Sequence, residues 1–461
     1  MKKQLFFDDF YLFGRDNVQR VYGRIERIAE YSDGVCSTDF CTANVFLLDD
    51  GRYRMLYFGH GIGFEGRKLF SAISDDGVHF VPEDLPPSGE REFSHEIMTL
   101  PSGGEVACIF EDKRGTERYK LLMAEFDHQL LYVNDTLYVS DDLLSWRKKE
   151  GVCWGDGTEP LASAYYNEHK GRYDILQRPF WGIRTVGCKS TTDWQTFTPY
   201  RYVLGVDSKD EALCEIYGMH AFAYGGMYVG AAHLYRGLVS EYGAKYKNGR
   251  IDCELAYSYD GDYWRRSLGE PFLSGGEECP MVWLSSMVHR DGEILLYGSA
   301  SELVHGPAFH NPGRGRLFVY RLREDDFISL RSIDETTPAR VITREKIWHG
   351  GELHLNIKAS NVTVGVYETN ESEMVAGNAL GIAKPLTGYS HEDCIPFSGD
   401  SLSHVPQYKN QNTLSSLAGR TLVFEVRYTN GALYSLSGDY TDVFNTEGVR
   451  YRKFGEMLQK K

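Results

Sequence analysis

The sequence predicts an all-β protein: a five-bladed β-propeller followed by a β-sandwich domain. Three observations lead to this fold class. The 461 residues include 31 Tyr, 24 Phe and 48 Gly, a composition typical of many short strands joined by tight turns. Strand-and-turn hairpins recur along the first part of the chain with almost no helical periodicity. The pattern then changes after residue 340.

One turn type recurs at the ends of strands. It consists of a Ser or Thr, a turn containing Asp, and an aromatic residue six positions after the Ser or Thr. We expect the Asp side chain to cap the turn backbone and the aromatic ring to pack between sheets. The four copies are Ser74 to Phe80, Ser140 to Trp146, Thr191 to Phe197 and Ser258 to Trp264.

The hairpins form five units, and one four-stranded blade per unit gives a five-bladed propeller. We assign residues 1–340 to this domain, as the catalytic domain. A single large sandwich is the alternative, but it would not explain the regular spacing. The predicted units begin near Asp39, Ser94, Glu159, Glu215 and Glu278.

The C-terminal part of the chain alternates apolar and polar residues. Val362–Tyr367 and Thr421–Tyr428 show this pattern, which is typical of strands with one face in a core. We therefore predict a β-sandwich domain with a short tail over residues 341–461. An exposed sheet face there could support a homodimer.

Charge and cysteine usage limit the classes of partner. The net charge of −15 disfavours nucleic acid, because phosphate binding needs a basic face. No run approaches the ~20 apolar residues of a membrane helix, and the apolar N-terminal run ends at Asp8 and Asp9, too short for a signal peptide. Nine scattered cysteines without a CxxC motif indicate reduced core residues and a cytoplasmic protein. We expect no metal and no cofactor.

Three acids share one local pattern. Asp39, Glu159 and Glu215 are each followed, seven residues later, by an aromatic residue and then a tight turn. Equal offsets would place the three carboxylates at equivalent points of three blades, converging on one pocket at the propeller axis. Glycoside cleavage needs two such carboxylates, one to protonate the leaving oxygen and one as nucleophile or base.

The chain resembles the clan of glycoside hydrolase families 32, 43 and 68. The resemblance covers nearly the whole chain and is closest to a branch of family-32-like proteins. It implies a nucleophile or base at Asp39, a transition-state stabiliser at Glu159 and a general acid at Glu215. The motifs that carry it, besides the three acids, are Phe93–Glu96, Glu215–Met219, Ser258–Arg266, Gly351–Asn356, Leu417–Arg420 and Ala432–Tyr434.

The sequence also departs from the family pattern. Asp39 is followed by Phe40 and Cys41 instead of Pro-Asn-Gly, and Glu159 lacks the preceding Arg. Glu215 is preceded, not followed, by its cysteine. The fold therefore transfers more safely than the substrate. Asp156 in place of Glu159, or Glu278 in place of Glu215, stays an alternative, whereas Glu111 and Asp112 fit a solvated turn better.

Further residues are candidates for substrate contact: His95, Asp156, Arg178, Trp181 and His220. For His95, His220 and the nearby His233, ordinary core roles are the favoured interpretation. Trp154, Trp181 and Trp283 are candidates for a floor on which a sugar ring stacks, and buried core is the alternative for each. Arg178 and Arg184 flank Trp181, with surface salt bridges as their alternative role.

These features predict a glycosidase that acts on a small carbohydrate. It would remove a terminal sugar, of furanose type such as fructose or arabinose, from short oligosaccharides or glycosides. Two alternatives stay open. One is a non-catalytic sugar-binding propeller. The other is a glycoside phosphorylase, which would need at least two cationic groups in the pocket, with Arg178, Arg184 and His220 as candidates.

Overall fold

The computed structural model describes residues 1–36, 43–59, 66–86, 91–101, 104–127, 132–155, 159–179, 181–237, 249–308, 315–368 and 384–443. The chain forms two compact units. One comprises Arg24–Leu322, and the other combines Met1–Gly23 with Arg323–Lys461. No helix in these described ranges is long and apolar enough to cross a membrane.

The described elements are almost entirely strands, which confirms the all-β prediction. Two short helices occur, an α-helix at His305–Ala308 (α1) and a 3-10 helix at Leu414–Leu417. The strands, numbered in chain order, are β1 Lys2–Gln4, β2 Leu12–Asp16, β3 Val18–Tyr22, β4 Glu26–Tyr31, β5 Asn44–Leu47, β6 Tyr53–Gly59, β7 Lys68–Ser74, β8 Val81–Pro82, β9 Glu96–Thr99, β10 Gly104–Glu111, β11 Tyr119–Asp127, β12 Tyr132–Ser140, β13 Arg147–Cys153, β14 Glu159–Asn167, β15 Arg172–Arg178, β16 Val186–Thr191, β17 Arg201–Leu204, β18 Cys214–Tyr224, β19 Met227–Arg236, β20 Arg250–Ser258, β21 Arg265–Arg266, β22 Met281–Arg290, β23 Glu293–Ser301, β24 Gly315–Arg323, β25 Ile328–Ser332, β26 Ala339–Thr343, β27 Lys346–Glu368, β28 Phe397–His404 and β29 Thr421–Asp442.

Unit Arg24–Leu322 is a five-bladed propeller. Its blades are the strand groups β5–β8, β10–β13, β14–β17, β18–β21 and β22–β24 with β4. The first strand of each blade contacts the first strand of the next blade, and β22 contacts β5, so the five inner strands form a closed ring. Closure removes the exposed sheet edges at the centre.

Side chains of the inner strands bond neighbouring blades together. The Ile109 amide donates to Asn44 Oδ1 at 3.0 Å, the Ala221 amide to Ser163 Oγ at 3.0 Å, and the Val45 amide to Ser286 Oγ at 3.0 Å. The Ala164 amide donates in the same way to the Cys108 thiol. Because the same relation repeats around the ring, Asn44, Cys108, Ser163, His220 and Ser286 occupy equivalent positions, and all inner strands begin at the same end.

The predicted turn type is confirmed in all four copies. In the first, Asp76 Oδ1 accepts from the amides of Val78 and His79 at 2.8 Å each, and Ser74 Oγ accepts from the Gly77 amide at 3.0 Å. These bonds hold the pKa of Asp76 well below its ordinary value, although burial alone would raise it. The residue after the Asp has positive φ in each copy: Gly77, Leu143, Trp194 and Gly261.

Two blade boundaries differ from the prediction. The second blade begins at Gly104, because β9, close to the predicted start at Ser94, pairs with β7 of the first blade. The fifth blade takes its outer strand, β4, from the N-terminal part of the chain, where it pairs with β24. Hydrophobic periodicity within one segment carries no signal for such long-range pairing.

The second unit is built on one eight-stranded sheet, β1–β3 with β25–β29. Lys346 at the start of β27 pairs with both Leu422 and Asp442, at the two ends of β29. The sheet therefore curves back around its hydrophobic core, which includes Trp348 and Phe424. The β-sandwich description and a homodimer through this unit stay predictions.

The predicted domain boundary at 340/341 is displaced in the structure. Residues 1–23 and 323–340, which the prediction assigned to the propeller, belong to the second unit. The physical reason is strand pairing, because β2 pairs with β26, β3 pairs with β25, and both β25 and β26 pair with β29.

Candidate active site

Charged and aromatic side chains meet near the starts of the inner strands of blades three and four. Arg178 ends β15, Arg184 lies in the connection to β16, and Glu215 is the second residue of β18. Arg184 Nη1 lies 2.5 Å from Glu215 Oε2, with the arginine 16% and the glutamate 7% exposed at the side chain. Arg178 Nη1 donates to the Tyr217 carbonyl oxygen at 3.3 Å. We call Arg178, Arg184, Glu215 and Tyr217 the guanidinium cluster.

Tyr217 is the centre of this cluster. The Arg178 and Arg184 guanidinium carbons lie 4.3 and 5.1 Å from its ring centroid, a cation–π arrangement. Its hydroxyl is 2.8 Å from Nε2 of His305 in α1. Tyr217 occupies a bulge, because the register of β18 against β19 shifts between Ile216 and Gly218. Bulges re-aim side chains next to functional sites.

Within the described residues, two guanidinium groups and the Glu215 carboxylate share the guanidinium cluster, and Arg184 bonds to that carboxylate. Burial lowers the pKa of Arg178, and the charge of Arg184 acts in the same direction, while Glu215 and Tyr217 oppose it. Burial raises the pKa of the Tyr217 phenol, and both arginines oppose that shift. Charge-assisted hydrogen bonds to such largely buried guanidinium groups are strong.

Further buried groups border the cluster. Tyr235 and Trp283 pack against the Tyr217 ring, with centroids 6.1 and 5.5 Å away. Arg67 Nη1 and Glu105 Oε1 form a buried ion pair at 2.9 Å, and the charge of Glu105 acts on Tyr217. This pair joins the starts of β7 and β10 near the same end of the ring.

His95 lies in a separate polar group of the first blade. Its Nε2 is 3.1 Å from Asp33 Oδ2, and Tyr57 also donates to that oxygen. Burial alone would raise the pKa of Asp33, but the bonds from His95 and Tyr57 hold it well below its ordinary value. The His95 ring packs on Phe70, with centroids 5.0 Å apart. The structure therefore holds His95 in one orientation.

Three predicted site residues escape a full test. Asp39 and Asp156 lie outside the described residues. Glu159 is the first residue of the inner strand β14 and pairs with Arg178 through its backbone. Glu215 is the second residue of the inner strand β18. The roles predicted for these acids stay predictions.

The seven-residue offset is not a structural repeat in blade three. Ser163 is equivalent to Asn44 and His220, which makes Tyr165, not Tyr166, the counterpart of Phe46 and Phe222. Both β14 and β18 carry bulges, but of different size. Glu159 pairs with Arg178 and Ser163 with Leu176, so four residue steps in β14 lie opposite two in β15. Glu215 pairs with Tyr235 and His220 with Ala231, so five steps in β18 lie opposite four in β19, and the two acids do not occupy equivalent positions.

His220 is buried inside the propeller instead of lining a pocket. It is 4% exposed, and within the described residues neither ring nitrogen has a hydrogen-bond partner. Its ring lies 5.3 Å from that of His233, whose Nε2 is 3.1 Å from the Leu284 carbonyl oxygen. This burial favours a core role over substrate contact for both histidines.

The structure separates the remaining candidates by exposure. Trp154 and Trp283 are buried core residues, whereas Trp181 is 43% exposed. Glu278 is exposed in the segment before β22. Asp112 is buried in an ion pair with Lys120 at 2.6 Å, which corrects the expectation of a solvated turn. Of the three tryptophans, Trp181 alone is available for stacking.

Sequence reasoning missed several members of the site. Tyr217 stands two residues after Glu215, so its position beside a candidate acid was a usable signal. His305, Arg67 and Glu105 carry no local signal, because only the closed ring brings their segments to the cluster. Within the described residues, no group of three or more His, Cys, Asp or Glu side chains is arranged to hold a metal ion.

The sequence matches no protein-family model and no curated protein. Among solved structures, the chain is similar to a glycosyl hydrolase from Bacteroides ovatus, with 17% identity and a TM-score of 0.45 over 66% of this chain and 94% of that one. It is also similar to a structure described under the GH130 family of mannoside phosphorylases and its glycoside hydrolases, with 16% identity and a TM-score of 0.42 over 66% and 95%. A third is a β-1,2-mannobiose phosphorylase from Listeria innocua, with 12% identity and a TM-score of 0.43 over 71% and 97%.

Proposed function

We propose that the protein cleaves the glycosidic bond of a small carbohydrate near the starts of its inner strands. The observation that carries this proposal is the guanidinium cluster, in which a buried carboxylate, two arginines and a tyrosine face one another. Convergent charged and aromatic groups at the ends of the inner strands are a candidate binding site. Short oligosaccharides or glycosides with a terminal furanose stay the proposed substrates, supplied in the cytoplasm.

The ion pair with Arg184 bears on the role of Glu215. The Arg184 guanidinium already donates to Glu215 Oε2, whereas a general acid must donate a proton to the leaving oxygen. This contact favours a stabilising role for Glu215 over the general-acid role predicted from the sequence. We propose that the proton donor is Asp39 or Glu159, and that Glu215 stabilises positive charge on the sugar or activates the attacking group.

The first experiment is hydrolysis of aryl furanosides, aryl pyranosides and short fructans by the native protein and a Glu215→Gln variant. We expect kcat to fall by ~10²-fold or more in the variant, because an amide cannot replace the carboxyl group in catalysis. Glu277→Gln is the matched control, since that side chain is 95% exposed. A variant as active as the native protein would remove Glu215 from the mechanism. Sugar binding without any turnover would support a non-catalytic propeller.

Phosphorolysis is a second candidate, favoured by one observation. The guanidinium carbons of Arg178 and Arg184 lie 4.3 and 5.1 Å from the same tyrosine ring, and guanidinium groups bind phosphate through paired hydrogen bonds. In that reaction phosphate replaces water as the attacking group, and the product is a sugar phosphate.

The two reactions separate by their products. The substrates are incubated with and without inorganic phosphate, and free sugar and sugar phosphate are quantified. Phosphorolysis predicts turnover that depends on phosphate, with a raised KM for phosphate in Arg178→Lys, since Lys loses the paired hydrogen bonds. Turnover independent of phosphate would leave hydrolysis as the function.

A further inference from the structure

An exposed aromatic pair lies beside the guanidinium cluster. Trp181 and Tyr202 are 43% and 60% exposed. Their rings are nearly parallel, with an interplanar angle of 20° and centroids 6.4 Å apart. We call these two residues the aromatic platform. All seven tryptophans lie in the described residues, and Trp181 is the exposed one, because Trp146 is half-buried and the other five are buried.

The chain connects the platform directly to the cluster. Trp181 stands three residues after Arg178 and three residues before Arg184, so its Cα lies within about 11 Å of each arginine Cα. The connection is held at both ends, because the Trp181 amide donates to the Pro179 carbonyl oxygen at 2.9 Å and the Ile216 amide donates to that of Arg184 at 3.2 Å. A short sugar chain can therefore span both features.

Tyr200 and Lys189 pack behind the aromatic platform. The Tyr200 ring meets Trp181 edge-on at 6.3 Å, and its hydroxyl donates to the buried Gln177 on β15. Lys189 Nζ lies 4.7 Å from the Tyr200 ring centroid. The Trp181 ring is thus positioned before any ligand arrives, which lowers the entropic cost of binding.

We propose that the aromatic platform is a second sugar subsite, which binds the sugar ring next to the one that reacts at the guanidinium cluster. One face of a pyranose presents C–H groups that pack on an aromatic ring, while its edge carries hydroxyls. In the described residues, neither the Tyr202 hydroxyl nor the Trp181 indole N–H has a hydrogen-bond partner, so both are available at that edge. This inference rests on the proposed function.

The size of the surface favours a sugar over a protein partner. Besides the platform, the only exposed apolar side chain on this connection within the described residues is Ile183. Three side chains offer much less than the ~1,000 Å² that a stable protein interface buries. The pair is also uncharged, as a neutral sugar requires.

The test is acrylamide quenching of tryptophan fluorescence, which reports mainly on Trp181 as the exposed tryptophan. Short fructans, arabino-oligosaccharides and manno-oligosaccharides are compared with their monosaccharides. We expect di- and trisaccharides to shield the fluorescence and monosaccharides not to shield it. Tyr202→Ala should weaken oligosaccharide binding roughly tenfold, the size expected when one aromatic face is no longer covered. The control is Tyr263→Ala, an exposed tyrosine at 79% in a turn of blade four, which should change nothing.

Turnover of aryl monoglycosides tests the proposed function separately. Protection of Trp181 from acrylamide without turnover of any substrate supports the sugar subsite and contradicts the proposed catalytic function. Turnover on oligosaccharides that is equal in the native protein, Trp181→Ala and Tyr202→Ala, with no shielding, overturns the subsite and keeps the enzyme. Shielding that rises with protein concentration alone overturns the sugar assignment in favour of a second copy of the chain.

Discussion

Replacement of His220 by leucine should stabilise the propeller. Four of the five equivalent inner-strand positions hold a residue that accepts an amide hydrogen bond from the next blade: Asn44, Cys108, Ser163 and Ser286. His220 is the exception, because both its nitrogens are buried without a partner in the described residues. Its position therefore carries a cost that the other four avoid.

The expected increase in the free energy of unfolding follows from the number of buried polar atoms without a hydrogen bond. An unsatisfied buried polar group costs about 1–3 kcal/mol, and two such nitrogens set the upper limit of the relief. Leucine is close to imidazole in volume but different in shape, and we allow roughly 1 kcal/mol for imperfect packing. The two nitrogens together are worth about 2–6 kcal/mol, so after the packing loss the free energy of unfolding should rise by about 1–5 kcal/mol.

Urea unfolding of both proteins at pH 7.5 measures this change. The matched control is Ser163→Ala, which removes a bond that is made and should lower the free energy of unfolding by about 1 kcal/mol. Activity should be unchanged in His220→Leu, since the histidine does not reach a surface. A loss of stability in His220→Leu would show that another group, such as buried water, bonds to the imidazole, and the reasoning from unsatisfied nitrogens would then be wrong.

Three further predictions concern stability. Burial lowers the pKa of His233 to about 4 from an ordinary 6.5. The unfolded state therefore binds a proton at a higher pH than the folded state does, and the free energy of unfolding should fall as the pH drops from 6.5 towards 4. Across this pH range, the urea midpoint should fall less in His233→Gln than in the native protein. Asp142 Oδ1 accepts from the amides of Leu144 and Ser145 at 2.8 and 2.7 Å, so Asp142→Ala should lower the free energy of unfolding by about 1 kcal/mol, whereas the exposed neighbour in Asp141→Ala should have little effect. The Glu425 carboxylate is buried, and its Oε1 lies 2.7 and 2.8 Å from the Nε atoms of Arg340 and Arg427. Burial alone would raise the pKa of Glu425, but its bonds, including one to His391, hold that pKa far below 4.5. The stabilisation from Glu425 is therefore full above pH 4.5 and is lost on acidification, so the free energy of unfolding of Glu425→Gln should depend less on pH below 4.5.

The sequence determined the strands and their turns by local chemistry. An Asp placed two residues after a Ser or Thr caps its own turn, as Asp76 does with the amides of Val78 and His79. The turn can therefore be predicted from the local sequence, without knowledge of any distant contact. Alternating patterns such as Thr421–Tyr428 lie within an observed strand, β29, for the same reason. Five repeats of a four-stranded unit were sufficient to predict the blade number.

The tertiary structure decided everything that depends on distant pairing. The N-terminal strand β4 completes the fifth blade, whereas β2 and β3 pair with β26 and β25 within the second unit. Neither pairing leaves a trace in local periodicity, because backbone hydrogen bonds do not depend on side-chain identity. The predicted boundary at 340/341 was displaced for this reason.

The same distinction between local sequence and distant pairing applies to the candidate site. The sequence located Glu215, Arg178, Arg184 and Trp181 as candidates, because charged and aromatic residues at strand ends are visible in the chain. It did not reveal that Arg184 pairs with Glu215, that a bulge sets Tyr217 between two guanidinium groups, or that His220 is buried. Those facts depend on the register of β18 and on the closure of the ring, and both arise only when all five blades pack together.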